Sequence, residues 1–115
     1  MTAKRCFVIT PIGDDHSDAR RHANMVYETV LRPTLEPRDY KVERADLNTD
    51  PGQITAAVFS ALKEADLCIA DLTFLNANVM YELGVRHALQ KPVIQIAQRD
   101  TRLPFDTANQ RTIFF

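Results

Sequence analysis

The chain predicts an α/β domain: a flavodoxin-like three-layer α/β/α sandwich around a parallel sheet of about five strands, ordered 2-1-3-4-5. Three observations predict it. Strand and helix signals alternate along all 115 residues, as expected for a parallel sheet with helices on both faces. The runs Cys6–Thr10 and Leu67–Ala70 are almost wholly apolar, which suits strands buried on both sides. The run Lys41–Ala45 alternates and is more polar, which suits an edge. Strand order then reverses between strands one and three, and ligands bind at the carboxyl ends of strands at such a point.

The elements follow in order. Cys6-Phe-Val-Ile-Thr10 is closed by Pro11-Ile12-Gly13 and reads as the first strand. Ser17 caps a helix running to about Arg32, with Ala23, Val26, Tyr27, Val30 and Leu31 at helical spacing. Pro33 and Pro37 end or kink it. After the second strand, Asp50-Pro51-Gly52-Gln53 starts a helix, with Asp as cap and Pro at the first helical position. Ile54, Val58, Ala61 and Leu62 give that helix its apolar face. Leu67–Ala70 is the third strand. A helix then runs to about Gln90, and Pro92–Ala97 and Arg111–Phe115 form strands four and five. Residues 1–115 read as a single domain without repeats or linkers. The bare apolar strand at its end suggests a piece of a longer protein, or cover by another chain.

Composition narrows the function. Fourteen basic residues face 15 acidic ones, for a net charge of -1. Near balance argues against nucleic acid or an anionic membrane as partner. No apolar run approaches the length that spans a bilayer, and the start lacks the form of a signal peptide. Cys6 and Cys68 both fall in core strands, where they act as small buried hydrophobes in a reducing cytosol. His16, His22 and His87 show no metal-ligand spacing.

The most informative stretch is Asp71-Leu-Thr-Phe-Leu-Asn76-Ala-Asn78-Val-Met-Tyr81-Glu82-Leu-Gly84. It places Asp71 at the carboxyl end of strand three and Glu82 in the first turns of the next helix. Glycosidic-bond chemistry is commonly done by carboxylates. Each residue also has a plainer reading. Asn78, Glu82, Arg86 and Gln90 form an i,i+4 stripe in which Glu82 pairs with Arg86. Against that, the helix field near its start favours a carboxylate, and Gly84 removes bulk close by. Asp71 either forms a turn or holds a ribose hydroxyl. Asn76 and Asn78 cap the helix or bond a ligand, with capping the job of at least one. Gly13 makes a tight turn or lets backbone amides approach a ligand; no phosphate-loop pattern is present. Arg20, Arg44 and Arg86 are surface charges or meet a pyrophosphate.

Cys6–Gly13, Val42–Asp46, Ala65–Thr73 and Asn76–Ala88 together resemble the bacterial TIR-like, nucleoside 2-deoxyribosyltransferase-like domains. The resemblance ends with Leu103–Asp106 and Arg111, and Asn-x-Asn-Val-x-Tyr-Glu-Leu-Gly is its most specific part. It implies that Glu82 acts on an anomeric carbon. In the deoxyribosyltransferases such a glutamate attacks the sugar; in TIR enzymes it supports cleavage of NAD between nicotinamide and ribose. It also implies self-association, a sensor domain in the full-length protein, and a role as an antiphage defence effector. In the deoxyribosyltransferases an aspartate stands six residues before the nucleophile, and here that position is Asn76. An amide cannot act as a general acid. Nicotinamide leaves NAD as a neutral molecule without protonation, so the departure tilts the expectation toward NAD.

The expectation is therefore an NAD glycohydrolase with Glu82 catalytic. Thr10, Gly13, Asp71, Asn76, Asn78 and Arg86 would contact substrate, with no metal and no cofactor beyond NAD as substrate. A nucleoside 2-deoxyribosyltransferase or nucleotide N-glycosidase is the first rival. A non-catalytic TIR-like interaction module, with Glu82 as a helix ion pair, is the second.

Overall fold

The computed structural model describes residues 3–11, 13–14, 16–44, 56–103 and 112–115. Five strands form one parallel sheet: β1 (Lys4–Ile9), β2 (Tyr40–Arg44), β3 (Leu67–Asp71), β4 (Val93–Ala97) and β5 (Thr112–Phe114). Their order is β2-β1-β3-β4-β5, as the polarity of β2 foretold. Register runs Val8 opposite Arg44, Ile9 opposite Ala70, and Asp71 opposite Ile96.

Side chains alternate across a strand, and the two cores follow that alternation. On one face Phe7, Ile9, Cys68 and Ala70 pack with Val58, Ala61 and Leu62 of α3 (Ala56–Glu64) and with Val79 and Leu83 of α4 (Ala77–Ala88). On the other, Cys6, Val8, Val42 and Ile69 pack beneath α1 (Asp18–Met25) and its continuation, through Val26, Leu31 and Leu35. The two cysteines thus lie on opposite faces, each free and buried. Burial pushes the Cys6 thiol up to about 12 and that of Cys68 to about 11, so both are poor nucleophiles.

Ser17 caps α1, its side chain accepting from the Arg20 N–H. The helix does not stop near Arg32. It widens into a π-helical stretch (Val26–Leu31) and resumes as α2 (Arg32–Leu35) before a 3-10 turn. The wide turn shifts the buried phase: Val26 and Leu31 point inward while Val30 is exposed. Pro33 is tolerated because it lies in the first turn of α2. The expected helix start at Asp50–Gln53, Ile54 and Arg111 lie outside the described residues. No described helix is long and apolar enough to cross a membrane.

Candidate active site at the carboxyl edge

Asp71 closes β3 and points to the α1 face, as Ile69 does two residues earlier. It is 1% exposed. His22 Nε2 lies 2.6 Å from its Oδ2. The Thr73 N–H and hydroxyl both donate to its Oδ1, at 3.1 and 2.6 Å, and the Gln98 N–H donates to the same hydroxyl at 3.1 Å. Phe74 packs edge-on to the His22 ring at 5.2 Å, and Phe115 stacks beyond at 6.1 Å. Both carboxylate oxygens are engaged, so Asp71 joins α1 to the ends of β3 and β4. Contact with a ribose hydroxyl would require exchanging one of those bonds. The sequence reading passed over His22 except to note its lack of metal spacing. Its one signal is that it stands four residues before Val26 on the inward stripe of α1.

Glu82 has the opposite surroundings. Asn76 caps α4, its Oδ1 accepting from the N–H groups of Asn78 and Val79, while Asn78 itself is exposed. Val79, Leu83 and Arg86 form the buried stripe of α4, and Glu82 flanks it. It sits five residues past the first residue of α4, about 7.5 Å along the axis. Its side chain is half-buried and makes no hydrogen bond or ion pair among the described residues. Burial alone pushes its carboxyl up to about 7, because removing water penalises the charged form.

The expected pairing of Glu82 with Arg86 is not made, and the Arg86 guanidinium is bonded to backbone carbonyls instead. Arg86 is fully buried. Its Nε and Nη2 donate to the Pro92 carbonyl at 3.1 and 3.0 Å, and its Nη1 to that of Leu62 at 2.8 Å. The geometry explains the correction. A helix joining parallel strands runs back from the carboxyl edge, so its last turn reaches the amino edge, where Pro92 leads into β4. Arg86 staples α4 to α3 and β4 there.

Thr10 is half-buried just past β1. Gly13 follows with φ +65°, and a Cβ there would lie 2.7 Å from the Ser17 hydroxyl; its turn requires glycine. The Gly13 carbonyl accepts from Arg20 Nη2 at 2.8 Å. Arg20 is buried and Arg44 half-buried, so neither is an ordinary surface charge. A cleft of about 480 Å³ opens between Thr73, Phe74, Gln98, Thr101 and Phe115, beside Asp71. Glu82 does not line it, since α4 covers the other face. Among the described residues no group of three His, Cys, Asp or Glu side chains is placed to hold a metal ion.

No family model and no curated protein sequence matches the chain. Solved structures do. A CMP N-glycosidase from Clostridium botulinum superposes with a TM-score of 0.69 at 19% identity, over 97% of this chain and 88% of that one. The TIR domain of a Toll-related receptor from Hydra magnipapillata gives 0.69 at 17%, over 96% and 82%. A 2-deoxyribosyltransferase from Bacillus psychrosaccharolyticus gives 0.63 at 15%, over 96% and 85%. The chain shares their fold. The two kinds of protein that its motifs resemble, TIR-like and deoxyribosyltransferase-like, are both among these neighbours in fold.

Proposed function

We propose that the chain cleaves N-glycosidic bonds, and that its substrate is NAD, split between nicotinamide and ribose. The observation that carries this reading is Glu82: a half-buried carboxyl with no partner among the described residues, on the helix that follows the central strand. A buried structural carboxylate is normally paired, and Glu82, half-buried, makes no such pair among the described residues. An unpaired one is available to a cation, and the ribosyl group of departing nicotinamide is oxocarbenium-like. The ionised carboxylate stabilises or traps that cation, and water completes hydrolysis to ADP-ribose. The positive nicotinamide ring of NAD itself draws Glu82 back toward the ionised form. Asn76 fits this chemistry, since its side-chain oxygen is spent on the α4 cap and the reaction needs no acid from it. Self-assembly completes the pocket around Glu82 in this proposal, and a sensor domain would trigger assembly in antiphage defence.

The test is nicotinamide release by concentrated protein, with Glu82→Gln alongside. Release should rise steeply with protein concentration and vanish in the variant. Equal release by both proteins would sink the role given to Glu82.

The carboxyl near 7 also supports a second reading, a nucleotide N-glycosidase in which protonated Glu82 donates to a departing base. The pH profile separates the two. Below saturating substrate, NAD cleavage by the carboxylate climbs as pH rises through about 7 and then levels, whereas cleavage by the acid form falls over the same range.

A further inference from the structure

We propose that Arg20 and Arg44 form a phosphate site at the carboxyl edge, so that the chain selects nucleotides over nucleosides. Arg44 ends β2 opposite Val8, and Arg20 sits in the first turn of α1, reaching the Gly13 carbonyl just beyond β1. The Arg44 guanidinium lies over the Tyr27 ring, 5.1 Å from its centroid. Its Nη2 donates to Asn24 Oδ1 at 2.7 Å, while its Nη1 is buried without an acceptor among the described residues. Tyr27 is in turn fixed by its hydroxyl, which donates to the Val42 carbonyl at 3.0 Å.

Two features of this arrangement call for an anion. A buried donor without an acceptor costs about 1–3 kcal/mol, and an oxyanion supplies the missing acceptor. The two guanidiniums also lie close enough that the charge of Arg20, after burial, lowers the proton affinity of Arg44. Among the described residues the carboxylate that acts on Arg44 is Glu28, and its effect ranks below both. An anion beside Arg44 accepts from its open Nη1 within the field of Arg20, and a guanidinium fork is the group by which arginine recognises phosphate. The position agrees with where nucleotide phosphates sit in open α/β sheets, outside the carboxyl ends of the strands.

The substrate part of this inference rests on the N-glycosidic reading, whereas the anion site stands by itself. The experiment therefore uses Glu82→Gln protein, which keeps the site without turnover, titrated calorimetrically at matched ionic strength with inorganic pyrophosphate, NAD, AMP and adenosine. Pyrophosphate should bind and compete with NAD, and AMP should bind at least tenfold more tightly than adenosine. Arg44→Gln should weaken pyrophosphate and AMP tenfold or more and leave adenosine unchanged, with Arg44→Lys intermediate because it keeps charge but loses the fork. Absence of pyrophosphate binding, or AMP and adenosine binding alike to protein with Arg44 intact, overturns the proposal whatever the fate of the variants. Pyrophosphate binding that no nucleotide displaces overturns the nucleotide assignment. Wild-type protein that passes every binding test yet cleaves no nucleotide refutes the enzyme reading and leaves the anion site standing.

Discussion

Asp71 and Glu82 are eleven residues apart, flank the same strand–helix junction and carry the same charged group, yet the fold treats them oppositely. Asp71 is shut away with both oxygens occupied by His22 and Thr73. Glu82 is half-buried and unpartnered among the described residues, and its carboxyl is raised to about 7. The pair shows how to separate architecture from chemistry in a new site. A carboxylate whose oxygens are all satisfied is holding elements together, and one left half-buried without a protein partner is open to a ligand.

The comparison can be broken most directly through activity. Glu82→Gln should reduce N-glycosidic cleavage at least 10³-fold, about 4 kcal/mol of barrier, with an unchanged circular dichroism spectrum. His22→Ala should do the reverse: a stability loss of about 3 kcal/mol in urea unfolding, because it strands a buried carboxyl, and a much smaller loss of rate in whatever folds. If His22→Ala removes activity but not stability, the division of labour drawn here is wrong.

A third measurement sharpens the contrast through pH. The raised carboxyl of Glu82 means that the folded state holds its proton more tightly than the unfolded chain. Stability therefore falls as pH rises from about 4.5 to about 7 and is level beyond. Glu82→Gln abolishes that loss. Because solvent screens this half-buried group, the variant should be more stable than wild type by about 1–2 kcal/mol at pH 8 and indistinguishable from it at pH 4. A variant gain that persists at pH 4 would show that its origin is packing instead.

The smallest effect concerns the two glycines beside these regions. A Cβ on Gly84 meets nothing within 4 Å, so Gly84→Ala should stabilise α4 by about 0.5–1 kcal/mol. Gly13→Ala should destabilise by about 1 kcal/mol or more, since φ is positive and Ser17 is in the way. Thermal denaturation of both variants checks the opposite signs.

Much of this was legible from residues alone. Strand order followed from the polarity of Lys41–Ala45, and the caps at Ser17 and Asn76 followed from side chains suited to the job. Those features are local. What escaped were the contacts that sheet topology creates. Arg86 read as part of a polar stripe because it stands four residues after Glu82, yet it also stands seven after Val79 on the buried stripe. Only the third dimension shows carbonyls waiting for it. His22 meets its partner 49 positions away, and no spacing rule reaches that far. The π-helical stretch likewise moved Val30 outward and Leu31 inward, a one-residue slip that strict helical periodicity hides.

That 49-residue span has a consequence for how the molecule comes into being. Closing so long a loop costs conformational entropy that short-range contacts never meet, and parallel pairings of this kind form slowly. The aspartate at the end of β3 meets its imidazole only where α1 is packed on a sheet in which β1 lies between β2 and β3. A nascent or clipped chain thus carries the glutamate helix before it has a finished rim, and competence at the edge reports that the whole sheet has assembled.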